Sequence, residues 1–105
     1  TLLHLAVRNG NVRFVKYWLS FDFIDVNKVG GTNGDTPLNV CILSWINYVE
    51  DTYKVCANFE VFKLLLGHPS IDPNVKNVFG QNAYDMCRLG LKPHYIEYLD
   101  SEAQP

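Results

Sequence analysis

GDTPLNVCILSWINYVEDTYKVCANFEVFKLLLGHPSIDPN, residues 34–74, decides the reading of this chain. Its opening, Thr36-Pro-Leu-Asn-Val-Cys41, matches Thr1-Leu-Leu-His-Leu-Ala6 upstream and Asn82-Ala-Tyr-Asp-Met-Cys87 downstream. Each segment has a polar starter, an apolar residue two positions on and a small residue five positions on. Val61-Phe-Lys-Leu-Leu-Leu66 matches Phe14-Val-Lys-Tyr-Trp-Leu19, and Ile71-Asp-Pro-Asn74 matches Ile24-Asp-Val-Asn27. Fixed-order recurrence of several motifs is the mark of a repeat architecture, in which one unit cannot bury its apolar face and neighbours must stack.

Local chemistry agrees. Thr36 is a good N-cap, and Pro37 stands at the first helical position, where its missing N–H costs nothing. Leu38, Cys41 and Ile42 follow at helical spacing. A second helix containing Phe62, Leu65 and Leu66 is ended by Gly67 and Pro69. The run from Asn27 to Asp35 holds Gly30, Gly31, Asn33 and Gly34, which suits a projecting turn. Each unit therefore reads as helix, turn, helix and finger.

These motifs resemble the ankyrin repeat, whose signature is roughly G-x-T-P-L-H-x-A, an apolar second helix and then D-V-N. The resemblance implies an all-α repeat solenoid of stacked helix–turn–helix units with projecting hairpin or loop fingers. It covers nearly the whole chain, as one domain over about residues 1–100 with units near 1–31, 32–77 and 78–100 and a polar tail at 101–105. The third unit departs most, with Asn82, Ala83 and Asp85 in place of Thr, Pro and His. Pro93 to Leu99 reads as a short closing helix. Thr1 opens in mid-motif with no initiating Met, so a piece of a longer chain is expected.

The second unit is too long for the family. From Thr36 to Lys63 is 27 positions, against about fifteen for the repeat. The surplus lacks Gly, Pro and Ser, and its apolar residues keep helical period: Leu38, Cys41, Ile42, Trp45 and Val49, then Val55, Phe59, Phe62 and Leu66. An extended helical hairpin over about residues 44–57 is expected, each helix gaining about six residues or about 9 Å. Its tip would carry Asn47, Tyr48, Glu50, Asp51 and Tyr53.

Bulk properties narrow the function. The 105 residues are 48% hydrophobic with a formal net charge of −2, so disorder and a basic nucleic-acid footprint are both disfavoured. No apolar run approaches the ~18 residues of a membrane span. The three cysteines lack CxxC spacing and fit a reducing, intracellular compartment, cytoplasmic or nuclear. Cys41 and Cys87 align with Ala6, a slot that takes a small packed residue. Cys56 also reads as packed. No His and Cys pair has zinc spacing, and the finger glycines lack the Lys and Ser/Thr of a phosphate loop. No metal, cofactor or catalytic set is expected. The resemblance implies that His4 bonds backbone groups and ties neighbouring units.

It also implies a non-catalytic protein-interaction module that meets a partner protein on a concave face of finger tips and first helices. Carried onto this sequence, the contact positions are Arg8 and Asn9, Thr32, Asn33 and Asp35, Leu43 and Ser44, and Val78, Phe79 and Gln81, with Tyr48 at the extended tip. Phe79 is either an exposed anchor or a cover for the adjacent finger. Two alternatives are the targeting arm of a larger enzyme and a reader of a peptide or modified lysine using Trp45, Tyr48, Tyr53 and Phe79.

Overall fold

The computed structural model describes residues 1–46, 52–89, 95 and 97. Five helices follow one another: α1 (Leu2–Arg8), α2 (Val12–Leu19), α3 (Pro37–Ile46), α4 (Thr52–Leu66) and α5 (Ala83–Leu89). Four of the starts, those of α1, α2, α3 and α5, have a local cause. Thr1 Oγ1 accepts from the His4 amide at 3.2 Å, Asn11 Oδ1 from the Phe14 amide at 3.2 Å, and Thr36 Oγ1 from the Asn39 amide at 3.2 Å. At α5 the departure from the Thr starter makes a reciprocal capping box. The Asn82 side chain accepts from the Asp85 amide at 3.0 Å, while the Asp85 carboxylate accepts from the Asn82 amide at 3.1 Å. Two orphan donors are satisfied together. Gly10, with φ +66°, closes α1 in the left-handed region that non-glycine residues enter at a cost.

The helices form two layers. Packing of α1 on α3 and α3 on α5 makes the inner layer, α2 on α4 makes the outer one, and α1–α2 and α3–α4 are the antiparallel pairs. One continuous core runs through the stack, and the repeat positions fall where the sequence puts them. Leu3 and Leu38 are buried, as are Ala6, Cys41 and Cys87. Burying each larger side chain in this cluster contributes about 1.5–3 kcal/mol. Burial pushes the Cys41 thiol well above the usual range, which keeps it protonated and inert. Cys56 corrects the sequence reading. It is exposed, on α4.

In the second unit α3 has 10 residues and α4 has 15, against 7 and 8 in α1 and α2. The expected tip, with Tyr48 and its neighbours from Asn47 to Asp51, lies outside the described residues. So does most of the expected closing helix, except Tyr95, which is fully buried, and Glu97. The Tyr95 ring packs against Phe62 (centroids 4.6 Å apart) and Phe59 (5.0 Å). Its hydroxyl donates to Asn58 Oδ1 at 2.5 Å, and Asn58 Nδ2 donates to the Cys41 carbonyl at 2.8 Å.

Candidate functional site

The fingers project beside the inner helices. In the finger before α3, Gly30 and Asp35 exchange backbone hydrogen bonds of 3.0 and 3.1 Å. The tight return is reached through Gly31 and Gly34, both at positive φ. The finger before α5 is one residue shorter between its Asn and its helix starter (Asn74 to Asn82 against Asn27 to Thr36) and is closed by the Asn77 amide on the Gln81 carbonyl at 2.9 Å. The two fingers are joined. The Val78 amide donates to the Asn33 carbonyl at 2.9 Å, and Asn77 Nδ2 donates to Asp35 Oδ1 at 3.1 Å.

Behind the fingers, units are stitched by single side chains. His4 Nε2 donates to the Asp35 carbonyl at 2.9 Å. Nδ1 then accepts from the Thr1 hydroxyl at 2.6 Å, which fixes a neutral Nε2–H imidazole. Burial lowers the pKa of His4 from its ordinary value of 6.5, against the opposing pull of the Asp35 carbonyl. The ring lies flat on Gly30, where an added Cβ would meet Cε1 at 3.3 Å. Asn27 reaches the next turn in the same manner, donating to the Ser70 carbonyl and accepting from the Asp72 amide, both at 2.7 Å. His4 is thus a structural tie, as the motif implies.

Between α1, α3 and the first finger lies an open groove of about 440 Å³, lined among others by Leu5, Arg8, Thr32, Asn33 and Val40. Arg8, Thr32 and Asn33 are exposed on its walls. Val78 and Phe79 stand at the neighbouring finger tip, 67% and 68% exposed. Phe79 therefore does not cover the adjacent finger. Asn9 is exposed but lines a different groove, between α1 and α2.

Two expected contact residues are withdrawn from the surface. Asp35 is buried, its carbonyl taken by His4 and its carboxylate by Asn77, so it is a strut between fingers. Ser44 is buried too, whereas its counterpart one unit earlier, Asn9, is exposed. Leu43 is half-buried against the core, and Gln81 is half-buried with Oε1 accepting from Asn77 at 3.4 Å. Tyr48 lies outside the described residues, as do the side chains of Trp45 and Tyr53, so Phe79 is the one described ring of the aromatic-cage reading.

The sequence reading missed Asn77. This residue closes its own finger and holds Asp35, and its Oδ1 accepts from the amides of Phe79 (2.9 Å) and Gln81 (3.0 Å). Its signal was the Asn-x-x-Gly spacing of a side-chain-stabilised turn. Among the described residues no group of three or more His, Cys, Asp or Glu could hold a metal ion, and no helix is long and apolar enough to cross a membrane.

A family model described as ankyrin repeats (3 copies) matches residues 1–77. The crystal structure of the ankyrin repeat protein EF0377 superposes with a TM-score of 0.76 at 22% identity, over 98% of this chain and 45% of that one. The chain thus spans less than half the length of that protein. Among curated proteins none matches.

Proposed function

We propose that this chain, which belongs to the ankyrin-repeat family, is a non-catalytic module that binds a partner protein across its finger tips and the adjacent groove. Repeats of this family are in general protein-interaction modules. The observation that carries the reading here is the Val78–Phe79 tip. Two large apolar side chains are held in water on a backbone fastened at Asn33, Asn77 and Gln81. A rigid aromatic anchor loses little conformational entropy on binding, which is the usual character of a hot spot. Thr32 and Asn33 on the first finger and Arg8 on α1 supply the polar contacts around it. An intracellular, reducing setting is part of the proposal and is supported by an odd number of cysteines without CxxC spacing.

The test is cross-linking capture from cell lysate, read by mass spectrometry, with wild type beside a Val78→Asp, Phe79→Glu double variant whose circular dichroism is unchanged. A protein taken by wild type and lost by the variant supports the reading. Equal capture by both removes the finger tip from the binding surface.

A further inference from the structure

The first helix pair carries an apolar face that its counterpart in the second unit keeps covered. Leu2, Leu5 and Phe14 are 61%, 50% and 55% exposed. With the half-buried Trp18 they flank a groove of about 280 Å³ between α1 and α2. One unit on, the same repeat positions are Pro37, Val40, Val61 and Leu65. Pro37, Val61 and Leu65 are fully buried, and Val40 is packed on the core. The helices that pack on α3 and α4 from the preceding unit are α1 and α2.

The backbone beside this face repeats the contrast. Asp25 and Asp72 make the same turn, each carboxylate accepting from the amide two residues on, Asn27 at 3.0 Å and Asn74 at 2.9 Å. In the second turn the Ser70 carbonyl and the Asp72 amide are both taken by the Asn27 side chain, which comes from the unit before. Their counterparts in the first turn are the Phe23 carbonyl and the Asp25 amide. Neither has a hydrogen-bond partner among the described residues. A pocket of about 210 Å³, lined among others by Leu2, Trp18, Phe23 and Asp25, joins these groups to the apolar face. The apolar and polar halves of one inter-unit junction thus stand open side by side.

We infer that this face receives a further helix–turn–helix unit, set ahead of Thr1 in the same stack. Its first helix lies on Leu2 and Leu5 as α1 lies on α3, and its second on Phe14 and Trp18 as α2 lies on α4. Asn27 precedes Thr36 by nine positions, so an Asn nine positions ahead of Thr1 donates to the Phe23 carbonyl and accepts from the Asp25 amide. The two open backbone groups select the occupant. A generic apolar surface would cover the helices, but only a side-chain amide at a fixed place beside a helix pair satisfies an acceptor and a donor together. Each unit of such a stack gains its stability from the neighbour it contacts. The inference goes beyond the finger-tip reading and uses another surface.

A chain carrying its own residues 1–35 a second time, directly ahead of Thr1, tests it, because the new junction of Asp35 with Thr1 keeps the register of Asp35 with Thr36. The urea midpoint of the extended chain rises by about 1 M in a single transition, as an added nearest-neighbour interface requires. Hydrogen exchange at the Asp25 amide of the original copy slows at least about tenfold relative to the unextended chain. The Leu2→Glu, Phe14→Glu pair in the original copy removes the rise, although the same pair leaves the unextended chain's midpoint unchanged. Asn27→Ala in the added copy restores fast exchange at Asp25. An unchanged midpoint, two separate transitions, or fast Asp25 exchange in the extended chain overturns the inference. So does a mass that doubles between about 5 and about 500 µM for the unextended chain in sedimentation equilibrium and is held monomeric by the Glu pair, since a second copy would then own the face.

Discussion

Asn39 occupies in the second unit the slot that His4 fills in the first, and the two make opposite bargains with their surroundings. His4 reaches the next finger and donates to the Asp35 carbonyl. Asn39 is 1% exposed, and neither its Oδ1 nor its Nδ2 has a partner among the described residues. Replacing it with Leu, a side chain of similar shape, removes a buried amide whose desolvation costs about 1–3 kcal/mol. Leu is also the better helix former by about 0.5 kcal/mol. The expected gain is about 1.5–3.5 kcal/mol. With a urea m-value of about 1–1.5 kcal/mol/M for a domain of this size, the midpoint rises by at least about 1 M. His4→Leu is the paired control. It deletes a made hydrogen bond and the stack on Gly30, so it should lower the midpoint by a comparable amount. Urea titrations of the three proteins, followed by far-ultraviolet circular dichroism, measure both effects. Identical substitutions at equivalent repeat positions thus shift stability in opposite directions. If Asn39→Leu destabilises by as much as His4→Leu, the Asn39 amide is hydrogen-bonded in solution and the reasoning fails.

Three further outcomes follow from the same structure. Burial depresses the His4 pKa below 6.5, so the unfolded chain binds the proton more readily. The His4 contribution to stability is present above its ordinary pKa of 6.5 and is lost as pH falls through the lower folded-state value, giving a slope on the acid side of pH 6.5 that His4→Gln removes. Tyr95→Phe leaves Asn58 Oδ1 without its donor and lowers stability by about 1–2 kcal/mol, while Tyr95→Ala also opens a cavity and costs about 3–5 kcal/mol in thermal or urea unfolding; a neutral Tyr95→Phe would contradict the buried network. Of the three thiols, Cys56 alone reacts promptly with a thiol reagent in the native protein, and Cys41 and Cys87 react only on unfolding, because both are buried; three equally fast thiols would refute the packing.

The parts legible in the sequence were those whose cause lies within a few residues. The Thr36–Pro37 start, the apolar spacing of α3 and α4, and the glycines of the first finger each act through local backbone geometry. The His4 tie spans 31 positions, yet it was readable because the motif travels with it. The contact residues were only partly legible. A place in the repeat pattern says which face a residue occupies along its own unit, and the neighbouring unit then decides whether that face stays open. Asn77 stands where the earlier finger has Gly30, and its side chain occupies the Asp35 carboxylate. Ser44 is buried, whereas its repeat counterpart Asn9 is open. Tyr95 and Asn58 lie 37 positions apart, and neither periodicity nor turn chemistry links them.

The same comparison explains how a small stack can hold a hydrophobic anchor steady in water. Each junction has a side chain that crosses it: His4 and Asn27 between the first and second units, and Asn77 between the two fingers. Exposed apolar residues on a mobile loop would collapse onto the nearest core, and ordering them on binding would consume much of the contact energy. Here the Phe79 backbone is held by its own Asn77 at 2.9 Å, and Asn77 is in turn held to Asp35 and Asp35 to His4. The finger tip is therefore connected through three side chains to the first helix of the stack. That chain of bonds explains why Asp35, an expected contact residue, belongs inside. Its carboxylate is used to position the tip rather than to face solvent.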